Sequence, residues 1–103
     1  VWARFEVVEM SMAPALLPGD YLLTRRGGQS VKAGDLVVFE HLQRPGFFLV
    51  KRVVHIDPAG AYVLGDDLER SAGDSRELGT IPIASLRRVV FRYWPLGRLG
   101  PIP

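Results

Sequence analysis

The chain contains no cysteine, which excludes disulfides and thiolate metal sites and leaves the redox compartment unread. Long apolar runs are also missing, since none reaches the roughly 18–20 residues that a membrane-crossing helix needs. Charge of one sign is scarce: 13 basic against 11 acidic residues leave a formal excess of only +2. That excess is dispersed in pairs such as Arg25-Arg26 and Arg87-Arg88, so nucleic acid is not expected as a partner. Basic pairs beside exposed apolar residues could still suit contact with an anionic membrane surface. The two histidines, His41 and His55, have no acidic ligand motif close by, so neither a metal centre nor another cofactor is expected. No stretch sustains a helical period, which argues against a helical bundle.

What remains is a composition with 48% hydrophobic and 23% charged residues, enough to bury a core. A chain of 103 residues can bury one core and not two, so residues 1–103 are expected to form a single domain. Val1 opens the chain; a membrane association is expected if an anchor preceded it, and a cytoplasmic location otherwise.

Residues rich in Val, Leu, Phe and Tyr mark six strands, at Arg4–Glu9, Tyr21–Thr24, Leu36–Glu40, Phe47–His55, Tyr62–Leu64 and Leu86–Tyr93. Gly-Asp pairs at 19–20, 34–35, 65–66 and 73–74 punctuate the joints. The pattern predicts an all-β fold, a small antiparallel barrel or sandwich, with at most a short helical turn at "IPIASL". The similar segments "PGDYLL" and "AGDLVVF" read as two equivalent hairpin starts rather than an internal repeat.

Two polar residues sit in conspicuous places. In "FFLVKRVVHI" the alternation of a strand puts Phe47, Leu49, Lys51, Val53 and His55 on one face, so Lys51 is a lone cation among apolar neighbours. Burial disfavours the charged form. A lysine with the ordinary pKa of about 10.4 is neutral in only about one molecule in a thousand near pH 7.4, and lowering it by about three units would make it a usable general base. Ser11, in "EMSMAP", is a weak nucleophile that would need such a base. Spacing alone leaves open whether the two meet; a lysine snorkelling at a strand edge and a capping serine fit the same residues. The apolar side chains of Trp2, Phe5, Met12, Leu16, Leu17 and Trp94 could fill a core, line a groove or touch lipid.

Taken together and in order, "SMAPALLPGD" at 11–20, "GDLVVF" at 34–39, "LVKRVV" at 49–54, "VLGDDLERSAGDSRELGTIP" at 63–82 and "VFRYWPLGRLG" at 90–100 resemble the conserved boxes of the type I signal peptidase family. The resemblance implies a signal-peptidase catalytic core and a serine endopeptidase with a Ser/Lys dyad. Its partner would be a protein bearing an N-terminal signal or pro-segment, cut through an acyl-enzyme. By position, Ser11 matches the nucleophile and one oxyanion donor, and Lys51 the base. Met12 would wall the pocket, Ser71 would support the lysine, and Asp74 with Arg76 would form a buried ion pair that braces the site. The chain departs from the family pattern at Glu9 and Met10, where small residues are usual, at Asp67, where asparagine is usual, and by one extra residue between Ser71 and Asp74. Only a few residues join "KRVV" to "YVLGD", so the additional β domain of larger bacterial members is missing. In this the chain resembles compact maturation peptidases, including those that trim the pro-segment of nickel-containing superoxide dismutase.

Three other readings remain beside it. A LexA-type self-cleaving relative uses the same dyad, but no cleavable segment or DNA-binding domain is visible. A Ser-His-Asp hydrolase would recruit His55 with Asp66 or Asp74, without a nucleophile-elbow motif to support it. A catalytically inactive β domain could clasp an extended peptide along a sheet edge.

Overall fold

The structure, a computed structural model, describes residues 2–26 and 31–102. Six strands form one antiparallel sheet: β1 (Trp2–Glu6), β2 (Tyr21–Arg26), β3 (Leu36–Glu40), β4 (Phe48–Asp57), β5 (Gly60–Leu64) and β6 (Arg87–Trp94), in the order β1-β2-β6-β3-β4-β5. Among the described residues there are also one α-helical turn, α1 (Ser75–Leu78), and two 3₁₀ turns, at Ile83–Ser85 and Leu96–Arg98. The 3₁₀ turn at Ile83–Ser85 falls within the segment expected to turn, whereas α1 was not foreseen. Its signature is present as Asp-x-x-Glu at Asp74–Glu77: Asp74 caps the helix by accepting from the Arg76 backbone N–H at 3.0 Å.

Position in the sheet explains the apolar run of β3. Flanked by β6 and β4, four of its five residues are buried, as expected for a strand covered on both faces. Two core clusters result. One gathers Val37, Phe39, Leu49, Val53, Val63 and Ile81; the other gathers Val7, Met12, Leu16, Leu22 and Leu36. Of the uncertain apolar residues, Met12 and Leu16 are core, while Trp2 and Trp94 are about half exposed.

The all-β, antiparallel fold expected from the sequence is the one that forms, and its sheet is open rather than closed into a barrel. β1 pairs only with β2, and β5 meets β4 only from Arg52 onward. The outer edge of β1 and, along Phe48–Lys51, the edge of β4 that faces away from β3 therefore lack strand partners among the described residues. The sheet nevertheless curls, and the rings of Phe5 and Phe48 meet at 5.2 Å between centroids. Side chains close that gap where backbone pairing would have sealed a barrel.

Both hairpin-start turns are built alike. Gly19 and Gly34 each have φ of 94°, which only glycine adopts without strain. The Asp20 carboxylate accepts from the Leu17 N–H at 2.9 Å and that of Asp35 from the Lys32 N–H at 3.0 Å, each reaching back three residues. The second turn feeds β3. The first holds the loop that carries Ser11.

Candidate active site

Between the end of β1 and the start of β4 lies a narrow cleft of about 50 Å³, and Ser11, Lys51 and Glu9 all line it. Ser11 belongs to the loop between β1 and β2, which Asp20 fixes from behind. The Asp20 carboxylate takes ion pairs from Arg92 and Arg98, both at 3.1 Å, and Arg92 also donates to the Ala15 carbonyl at 2.8 Å. Burial alone would raise the Asp20 pKa, but the Leu17 N–H and the two guanidiniums outweigh it and hold the carboxyl below its ordinary value. The front of the same loop is tied to the turn after β5: the Ser11 carbonyl accepts from the Asp67 N–H at 2.8 Å, and Met12 Sδ accepts from the Asp66 N–H at 3.4 Å. Met12 is fully buried. It anchors the loop from within the core and does not wall the cleft.

Lys51 reaches the cleft from the buried face of β4, which it shares with Leu49 and Val53. Its side chain is 0% exposed. Nζ donates to Ser71 Oγ at 3.0 Å, and that hydroxyl donates onward to Asp74 Oδ2 at 2.7 Å. The extra residue between Ser71 and Asp74 thus does not displace Ser71 from the lysine. Desolvation pushes the Lys51 pKa below its ordinary value, against the pull of the Asp74 and Glu9 carboxylates, which raise it. Asp74 is itself buried, which would raise its pKa, yet hydrogen bonds from Arg76 and Ser71 keep it below the ordinary carboxyl value. A stably ionised Asp74 polarises the Ser71 hydroxyl and leaves its lone pairs facing Lys51.

The Asp74–Arg76 pair departs from expectation in one respect. The guanidinium does fork the carboxylate, with Nε 3.2 Å from both oxygens and Nη2 3.0 Å from Oδ2. Its acid side is 2% exposed, however, and its basic side 44%, so the pair is buried on one flank only. The same Nη2 of Arg76 also donates to the carbonyls of Leu68 and Ser71, which fixes the segment that carries Ser71. Between them, Ser75 is buried and its Oγ accepts from the Val63 N–H at 2.8 Å, which docks α1 on β5. Each residue of the Asp-Ser-Arg triplet has its own partner.

Gly65, read from the sequence only as part of a Gly-Asp turn, also has a packing role that the motif did not reveal. A Cβ there would lie 2.4 Å from Ser71 Oγ and 2.8 Å from the Ser11 carbonyl. Only a residue without a side chain lets these two segments close on each other. The Gly65 N–H also donates to Ser71 Oγ at 3.1 Å. Arg52 reinforces this turn through a two-pronged contact with Asp66 at 2.9 and 2.8 Å.

The Ser11 hydroxyl and the Ser11 backbone N–H donate to no other group among the described residues. Lys51 Nζ is bonded to Ser71 and not to Ser11, but a free donor and a free hydroxyl lining the same cleft as a desolvated amine are the groups that acyl transfer uses. His55 stands apart from it. A register shift after Val53 turns it outward, where it stacks on Tyr62 at 5.2 Å. His41 follows β3 and is buried, with Nδ1 accepting from the Gln43 N–H at 3.1 Å.

Residues 1–60 of the chain match the family model described as signal peptidase, peptidase S26. That segment contains both Ser11 and Lys51 and ends before Ser71. No curated protein matches the chain.

Proposed function

We propose, from the premise that this chain belongs to the signal peptidase family, peptidase S26, that it is a serine endopeptidase working through Ser11 and Lys51. Its substrate is a protein from which it removes an N-terminal signal or pro-segment, and the tight Asp57–Gly60 turn between β4 and β5, in place of an inserted domain, favours a compact maturation peptidase. The observation that carries the reading is the fully buried Lys51 amine in a cleft shared with a free serine hydroxyl.

An extended peptide fits between the unpaired edge of β1 and the Phe48–Lys51 stretch of β4, adding a strand where the sheet fails to close. Ser11 Oγ attacks the scissile carbonyl carbon while its proton passes to the neutral Lys51 Nζ. The Ser11 N–H donates to the oxygen that becomes negative. Lys51 then gives its proton to the departing amine nitrogen as the C–N bond breaks, leaving an ester on Ser11. Water attacks that ester by the same route: Lys51 takes its proton, the ester C–O bond breaks, and the proton returns to Ser11. Ser71, held by Asp74, keeps the lysine aimed.

Cleavage of a peptide carrying an Ala-x-Ala site, followed from pH 6 to 10 beside Ser11→Ala and Lys51→Met, tests the reading. The expected profile rises through one ionisation below that of a free lysine, because Lys51 must be neutral to act. Both variants, folded by circular dichroism, lose roughly 10⁴-fold or more in rate. Cleavage surviving in Ser11→Ala would sink the proposal.

A further inference from the structure

The cleft does not end at Phe5 and Phe48. Both residues, with Val38, also line a second cavity of about 590 Å³. Strand register explains what that cavity contains. Arg26 stands opposite Arg87 across β2 and β6, Arg87 opposite Val38 across β6 and β3, and Val38 opposite Val50 across β3 and β4. Directly paired residues share a face of the sheet, so one row runs from the cleft floor at Val50 to two adjacent guanidiniums. Like charges directly opposite each other on neighbouring strands destabilise the pair. No acid relieves these two: neither Arg26 nor Arg87 forms an ion pair among the described residues. Arg87 Nη1 is buried without any hydrogen-bond partner there, and an unsatisfied buried donor on a charged group is costly. Glu40, the one carboxylate on the cavity wall, is held by the Gly46 N–H at 2.6 Å. Ser85 and His41 complete the polar lining. Since His41 Nδ1 accepts from the backbone, a neutral ring carries its proton on Nε2 and can donate.

We infer that this cavity is a substrate-selecting subsite for a carboxylate side chain, an Asp or Glu held by Arg26 and Arg87 on the part of the bound peptide that lies over Phe5 and Phe48. The inference rests on the peptidase reading for its substrate. At about 3.3 Å per extended residue, the three positions from Lys51 to Phe48 set the acid about three to five residues from the scissile bond. It fills the donor left orphaned on Arg87 and screens the two guanidiniums from each other. The class of substrate is thereby narrowed to segments that carry an acidic residue at a fixed distance from the cut.

The test is a series of Ala-x-Ala peptides in which one residue, Asp, Ala or Lys, is moved through the third to sixth positions on each side of the scissile bond. Each is assayed with the wild-type chain, Arg26→Gln, Arg87→Gln and Arg87→Lys. At one register Asp is expected to exceed Ala in kcat/KM by about tenfold, mainly through KM, as suits a charge-assisted hydrogen bond. Lys at that register falls below Ala. The Asp/Ala ratio, internal to each variant, drops toward one in both glutamine variants and recovers partly in Arg87→Lys. Arg88→Gln, one residue along on the other face, keeps the wild-type ratio. Fluorescence anisotropy of the same peptides with the Ser11→Ala chain separates the two readings. Asp-dependent binding without cleavage in the wild type would leave this subsite standing and remove the peptidase. Indifference to Asp at every register, or a preference that survives both glutamine variants, overturns the subsite. So does loss of binding to phosphatidylglycerol vesicles in those variants with no change in peptide preference, which would assign the arginines to a membrane surface.

Discussion

Two carboxylates in this protein, Asp20 and Asp74, are each buried to 2% exposure and each gripped by arginine, yet they stand in different relations to the cleft. Asp20 is enclosed by Arg92 and Arg98 and touches neither Ser11 nor Lys51; its bonds go to its own turn and to the guanidiniums that hold the Ala15 carbonyl. Asp74 spends one oxygen on Ser71, and Ser71 accepts from Lys51. The same chemistry therefore shapes a loop in one place and reaches the buried Lys51 amine in the other. Proximity to a titrating group, and not the ion pair itself, makes the difference.

The largest effect should come from Asp20→Ala. It leaves the buried Arg92 and the partly buried Arg98 without a counter-charge, and removing one partner of a buried pair costs about 3 kcal/mol or more. Denaturant unfolding should show the lost stability, and whatever cleavage remains should keep its pH midpoint. A displaced midpoint would mean that Asp20 acts on Lys51 after all.

Next in size is Gly65→Ala. Its methyl must push Ser71 or the Ser11 carbonyl aside by the better part of an ångström, and a shift of that order costs about a hundredfold in rate. Crystal structures or NMR shifts of the variant should show Ser71 moved from Lys51, while the strands remain in register. Full activity would show that Ser71 need not hold the lysine.

The most diagnostic change is the smallest. Asp74 and Glu9 both raise the pKa of Lys51, so Asp74→Asn and Glu9→Gln should each move the rising limb of the pH–rate profile to lower pH, Asp74→Asn by more. A move to higher pH would contradict the electrostatics. The stability of the fold should respond oppositely to acid. Asp20 and Asp74 both titrate below the unfolded value of 3.8. Their contribution is thus complete above that value and lost as pH falls through the folded pKa, giving an acid unfolding transition that either substitution weakens.

Much of this was legible in the chain because its cues are local. The alternation in "FLVKRVV" assigns Lys51 to the buried face whatever β4 pairs with, and the Gly-Asp turns mark where strands begin. Other features had no local cue. "RFEVVE" reads as strand to Glu9, but β1 ends at Glu6, since Val7 turns to bond the Gly19 and Asp20 backbone and the residues after it line the cleft. His55 obeys the alternation on paper, and a register shift against β5 undoes it.

The sequence by itself determined the strands, the turn residues and which polar side chains lie among apolar neighbours, because backbone geometry enforces those periods over a few residues. Only the tertiary structure decided that the sheet stays open, that Ser71 rather than another hydroxyl meets Lys51, and that Arg26 and Arg87 face one cavity. Each of these depends on register and on edges brought together from distant parts of the chain, and no spacing along the sequence encodes how far a sheet will curl.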